Sequence, residues 1–292
     1  MGVFVNLTGQ VFNNRQALKY LGHSTWLCKC LSCGLETTVR TQQLKNFGCN
    51  VCWKCRAEDN YFEKIDAPNK AYIFGFLWAD GTIYTNTHKI KLDLQKDDLE
   101  ILEKIKRELK WTGEIKTILN KEGKSYRPKE TISYRMALTN KKIVDDLAKK
   151  GLKTHRESSP LPYKFVPQKY LLDFIRGYFD GNGCISFRNI EKNILKNLTI
   201  SICGGTTIIH NIGTILTENY GLHVVYHRRR KNNPDNDTLY ISRKNDCVRF
   251  LNLIYDNSSL HLQRKYQKFL TINNCLCGTT IESISKKKDF RE

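Results

Sequence analysis

The sequence predicts an α+β fold in which a helix–strand–strand–helix–strand–strand–helix unit occurs twice, behind a small cysteine-rich module. Three observations predict it. Apolar residues switch between helical and strand spacing along residues 68–270. Two glycine-centred helical segments of similar sequence, around Gly75 and Gly177, stand 102 residues apart. Six of the eleven cysteines crowd between Cys28 and Cys55.

The elements follow in order. The apolar run AYIFGFLWADG reads as a helix, and IYTNTHKIKLDL as short strands in which Ile90, Leu92 and Leu94 alternate with Lys89, Lys91 and Asp93. In KDDLEILEKIKRELK, Leu99, Leu102, Ile105 and Leu109 recur at three- and four-residue spacing, the mark of one helix face. TGEIKTIL and ISYRMALT read as strands and KKIVDDLAKKG as a helix. The order then repeats: helix KYLLDFIRGYFDGNG, strands CISFRNI and LTISIC, helix TIIHNIGTILTENYG, strands LHVVYHRR and TLYISR, helix DCVRFLNLIYDN. Internal duplication is the simplest description. The predicted divisions are a module over 1–57, halves over 58–165 and 166–272, and a mobile basic tail over 273–292.

Charge narrows the function. Lys and Arg number 48 against 29 Asp and Glu, a formal charge of +19. A compact chain this basic repels itself until an anionic partner neutralises it. Nucleic acid fits best, because each phosphate contact also releases condensed counterions. A membrane partner is not expected, since no apolar run approaches the roughly 20 residues a spanning helix needs. The start MGVFVNLTGQ lacks the basic and apolar regions of a secretory signal.

The two helical segments carry the chemistry. IFGFLWADG (Ile73 to Gly81) and IRGYFDGNG (Ile175 to Gly183) each place a small residue four positions after a glycine. Such positions share a helix face, and two bare faces let two backbones approach closely. Asp80 and Asn182, just before the terminal glycines, would then emerge side by side, where a carboxylate can hold a hard divalent cation.

On these residues the chain resembles the LAGLIDADG homing endonucleases, over nearly all of residues 68–270. The resemblance implies a monomer whose αββαββα halves are related by a pseudo-twofold axis. It implies two curved antiparallel sheets forming a saddle over double-stranded DNA, and Mg²⁺-dependent hydrolysis of phosphodiester bonds. Asp80 takes the family's metal-binding position in the first motif; the second holds Asn182, an amide without charge. Asp180 lies two residues earlier and is a secondary catalytic candidate, matched in the first motif by Trp78. The family's basic residue beside each metal site corresponds to Arg156 in GLKTHR and to Arg264 or Lys265 in LQRKYQKF. The location implied is the cytoplasm of a cell that hosts a phage or mobile element.

Cys30, Cys33, Cys49 and Cys52 form two C-x-x-C pairs enclosing 15 residues, a spacing that suits tetrahedral zinc. Cys28 and Cys55 are extra and can exchange as ligands. The block, with Trp26 ahead of its first pair, is similar to small Zn²⁺ modules attached to phage and mobile-element nucleases. Arg40 and Lys45 are its candidate DNA contacts. Cys184, Cys203 and Cys247 read as small core residues. In the sheets the DNA-facing candidates are Lys89, Lys91, Arg135 and Arg243, with the run Arg228, Arg229, Arg230 and Lys231 as a hairpin tip. A second reading, favoured by Asn182, is a non-cleaving protein of this family: an intron RNA maturase or a DNA-binding regulator.

Overall fold

The computed structural model describes residues 5–12, 15–31, 34–45, 52, 59–120, 131–152, 162–190, 194–228 and 236–288. The N-terminal strands β1 (Val11–Phe12), β2 (Arg15–Gly22), β3 (Thr25–Cys30) and β4 (Glu36–Arg40) form one antiparallel sheet in sequence order, closed by the short helix α1 (Thr41–Lys45). Leu7, Ala17, Trp26, Cys28, Val39 and Leu44 are its buried cluster. Trp26 fixes the helix to the sheet, its Nε1 donating to Thr41 Oγ1 at 3.0 Å.

The first large unit runs α2 (Pro68–Asp80), β5 (Gly81–Tyr84), β6 (Lys89–Gln95), α3 (Leu99–Glu108), β7 (Lys116–Asn120), β8 (Thr131–Thr139) and α4 (Lys141–Lys149). The second runs α5 (Leu171–Asn182), β9 (Gly183–Ile190), β10 (Ile194–Gly205), α6 (Thr206–Tyr220), β11 (Val225–Arg228), β12 (Asn236–Ile241) and α7 (Lys244–Tyr255). Each unit builds a four-stranded antiparallel sheet, ordered β5–β6–β8–β7 and β9–β10–β12–β11. The strand order is the same in both, as the duplicated pattern predicts.

Alternation decides which sheet face meets the helices. Ile90, Leu92 and Leu94 of β6, with Met136 and Leu138 of β8, are buried in the main core. Ile185, Ile200, Ile202, Leu239 and Ile241 do the same in the second sheet. Helix α2 differs from an amphipathic surface helix: every residue from Ala71 to Ala79 is buried. A helix apolar all round belongs in a core, and here it packs on α5, with the Phe74 and Phe174 rings 5.7 Å apart. Local signals set the ends. Pro68 opens α2, where its missing N–H costs nothing. Asn140 caps α4 by accepting from the Ile143 amide at 3.1 Å. Gly221 ends α6 at φ +63°, a left-handed conformation that glycine tolerates.

Two expectations change. Residues expected as a mobile tail from 273 continue helix α8 (Gln263–Lys288), whose Phe269, Ile272 and Cys275 are buried. On α3 the buried face is Ile101, Leu102 and Ile105, while Leu99 is only partly covered. Among the described residues no helix is long and apolar enough to cross a membrane.

Candidate active site

The glycine faces of α2 and α5 meet directly. A methyl group built on Gly75 would overlap the Phe174 carbonyl oxygen and stand 3.0 Å from the Tyr178 amide nitrogen. One built on Gly177 would overlap the Tyr72 carbonyl oxygen and stand 2.9 Å from the Phe76 nitrogen. Tyr72 and Phe76 are the counterparts of Phe174 and Tyr178 at the 102-residue offset, so the contact is reciprocal. The same closeness reaches the helix ends. A methyl built on Gly181 would lie 3.0 Å from an Asp80 carboxylate oxygen. Asp80 and Asn182 are thus the last residues of adjacent helices, and both are partly exposed.

Asp180 does not share that surface. It is completely buried. Its carboxylate accepts from Tyr72 Oη at 2.8 Å, Tyr255 Oη at 2.6 Å and the Leu262 amide at 2.7 Å. The expectation of a catalytic Asp180 is therefore corrected: its side chain ties α2, α5, α7 and the approach to α8 together from within. Burial raises its carboxyl above the ordinary range, against the lowering effect of Lys265 and of these donors.

Lys265 lies beneath the same helix end, only 3% exposed. Its Nζ donates to the carbonyls of Phe179 at 2.6 Å and Asp180 at 2.7 Å, satisfying the unpaired C-terminal carbonyls of α5. Burial lowers its pKa to about 8, opposed first by the charge of Asp180 and also by that of Asp80. Its neighbour Arg264 is directed away, its Nε on Asp98 Oδ1 at 2.9 Å. Arg156 lies outside the described residues.

The sheet face away from the helices carries Thr82, Lys89, Lys91, Asp93, Gln95, Ser133 and Arg135 in the first unit. Lys89 and Lys91 are partly exposed. Arg135 forms a two-pronged pair with Asp93, Nε to Oδ1 at 2.7 Å and Nη2 to Oδ2 at 2.8 Å, and Lys91 stands 3.4 Å from the same carboxylate. Burial would raise the Asp93 carboxyl, but the Arg135 hydrogen bond and the two cationic charges outweigh it and hold it below the usual range. Across the second sheet, Cys184 is opposite Ser201 and Cys203 opposite Thr238. Cys184 is exposed and Cys203 partly so, with Sγ donating to the Asn182 carbonyl at 3.2 Å; only Cys247 is the buried core thiol expected of all three. Arg243 is exposed. Arg229, Arg230, Lys231 and the side chain of Arg228 lie outside the described residues.

Residues 67–150 match the family model of a LAGLIDADG-like domain. No curated protein matches the chain in sequence. Among solved structures, the chain is similar to the LAGLIDADG homing endonuclease I-GzeII in complex with its DNA target. Identity there is 15% and the TM-score 0.46, over 75% of this chain and 92% of that one. The homing endonuclease I-WcaI bound to its DNA recognition sequence gives 13% and 0.47, over 68% and 84%. Full-length DUF199/WhiA from Thermatoga maritima gives 14% and 0.44, over 80% and 73%. The matched residues include α2 and Asp80 but not α5 and Asn182.

Outside the matched residues, the N-terminal region brings two expected metal ligands together. Cys30 and Cys52 form one buried cluster with Leu35 against them. The Cys30 carbonyl accepts from the Gly34 amide at 2.8 Å and the Cys30 amide donates to the Leu35 carbonyl at 2.9 Å, with Gly34 at φ +73°. Cys28 instead joins the Trp26 cluster, where burial raises its thiol pKa. Cys33, Cys49 and Cys55 lie outside the described residues. Arg40 and Lys45 are both exposed. Strict alternation puts Asp93 and Arg135 on the polar face, but their pairing follows from strand register, which the sequence does not display.

Proposed function

We propose that this chain is a site-specific endonuclease that hydrolyses phosphodiester bonds of double-stranded DNA with a divalent metal, acting as a monomer of two pseudo-twofold-related halves. The observation that carries the reading is the reciprocal glycine contact, which sets Asp80 against Gly181 and next to Asn182. The domain match over 67–150 and the +19 charge support it.

The donor set at the helix ends fits Mg²⁺, a hard ion that takes one or two carboxylates and retains water. Asp80 would hold it through its carboxylate and Asn182 through its amide oxygen. Bound there, such an ion would polarise the scissile phosphate and acidify a water. The chain's own residues do the rest. The close helix contact fixes the spacing of the two oxygen donors. Lys265 anchors the end of α5 through two carbonyls, so Asn182 is held in place. The polar sheet faces form the saddle that receives the duplex, with Lys89 and Lys91 as phosphate contacts.

Asn182 brings no negative charge, so the two strands should be cut at unequal rates. The module is read as a Zn²⁺ site of Cys30, Cys33, Cys49 and Cys52 that grips DNA beside the main site through Arg40 and Lys45. The adjacency of Cys30 and Cys52 supports it. Selection of cleaved sites from a randomised duplex library with Mg²⁺ tests the whole reading. Nicking is expected, abolished by Asp80→Asn, and faster on one strand than on the other.

The second reading is a non-cleaving relative that binds intron RNA or regulates through DNA. The burial of Asp180 favours it, because this carboxylate does not supplement Asn182. Binding to precursor RNA without cleavage of any duplex would decide for it.

A further inference from the structure

We infer that Arg135, aimed by Asp93, reads a guanine in the major groove of the DNA site. The inference rests on the reading of the chain as a site-specific DNA binder and names one of its specificity-determining contacts. It starts from an anomaly of charge. A carboxylate on a surface that receives polyanionic DNA is repelled by it, yet Asp93 lies on the polar face of β6 among Lys89, Lys91 and Arg135. The register explains its place. Asp93 is directly opposite Arg135 on the neighbouring strand, and Lys116 of β7 is opposite Arg135 on the other side.

The geometry of the pair matters more than its charge. Asp93 takes Nε and Nη2, the side edge of the guanidinium. The end edge, with one N–H from each Nη, is left pointing along the side chain. That edge carries two parallel donors at the spacing of the guanine O6 and N7 acceptors, the commonest specific contact of arginine in the major groove. A free arginine gives up much side-chain freedom on binding; one already held by a two-pronged partner gives up less. Arg135 and Asp93 are each about a third exposed, so the pair sits at the surface while staying partly screened from water. The alignment is also local to the cutting centre. Leu92, the residue before Asp93, is paired with Gly81, which directly follows Asp80.

The test is a binding selection from a randomised duplex library, with Ca²⁺ in place of Mg²⁺ to hold cleavage back. The full chain is compared with Arg135→Lys and Asp93→Asn. Wild type is expected to require G at one base pair. Arg135→Lys, which keeps the charge and removes the fork, should relax that single position roughly 10- to 100-fold and leave the others intact. Asp93→Asn should weaken the same preference without lowering overall affinity, since it removes a repulsive charge. The inference is overturned if Arg135→Lys leaves every position unchanged, or if it weakens all sequences evenly, as disruption of a phosphate contact would. In either case wild type still selects a site, so the functional reading survives. If wild type binds duplex DNA with no preferred sequence, the functional reading fails and this inference with it.

Discussion

Asp80 and Asn182 occupy equivalent places at the ends of two helices, and one charge separates their chemistry. Restoring it is the sharpest residue-level prediction. Asn182→Asp should speed nicking of the slower strand on the order of tenfold, because metal affinity follows the number of charged ligands. Rates measured separately on each end-labelled strand check it; unchanged strand bias would show that Asn182 is not its cause. Lys265 gives a pH prediction. Its folded pKa of about 8 lies below the unfolded 10.5, so at neutral pH the folded state carries the cost of a buried charge. Above pH 8 the folded protein releases this proton before the unfolded chain does, so stability rises with pH between about 8 and 10.5. Tyr72 and Tyr255 do not interfere, since burial raises their pKa values well above 10. The stability difference between wild type and Lys265→Met should therefore move in favour of wild type from pH 8 to pH 10, read from urea melts; a constant difference contradicts it. The placement of Asp80 and Asn182 at the ends of their helices was legible in the sequence because motif position fixed it. The role of Asp180 was not, because its partners Tyr72, Tyr255 and Leu262 lie 75 to 108 residues away along the chain.

Among elements, the α2–α5 pair sets the position of everything at the site. Gly75→Val and Gly177→Val would push β-branched side chains into backbone carbonyls, which have no room to yield. Each should cost about 3 kcal/mol or more, at the upper end of overpacking effects. Gly221→Ala is the contrast: nothing lies near its added methyl, but φ is +63°. It should cost only about 1 kcal/mol, from the left-handed conformation alone. Thermal melts of the three variants rank the two causes, and equal destabilisation would contradict the close-contact argument. Strand alternation in β6 and β8 was readable residue by residue. The cross-strand match of Asp93 with Arg135 was not, because register depends on how two strands 42 residues apart align.

At the scale of the whole molecule, the zinc site and DNA grip proposed for the module can be tested apart from the large units. Removing metal with a strong chelator, or replacing Cys30 or Cys52 by serine, should unfold the module while the two large sheets persist. One zinc per chain, absent from both serine variants, is the expected metal analysis; full metal content in either variant contradicts the assignment. Deleting residues 1–57 should lower DNA affinity and reduce the slope of log affinity against log salt by about one for every phosphate the module neutralises. Unchanged affinity would make the module a structural appendage.

The repeated strand and helix order of the two units, and the helix ends where Asp80 and Asn182 sit, could be read from the order of residues. They follow from spacing and residue type, which act over a few positions. Folding in three dimensions was needed to turn Asp180 inward, to set Lys265 on the carbonyls of α5 rather than in open water, and to extend a helix past residue 273. In each case the outcome depends on burial, and what covers a residue is supplied by segments far from it in the chain.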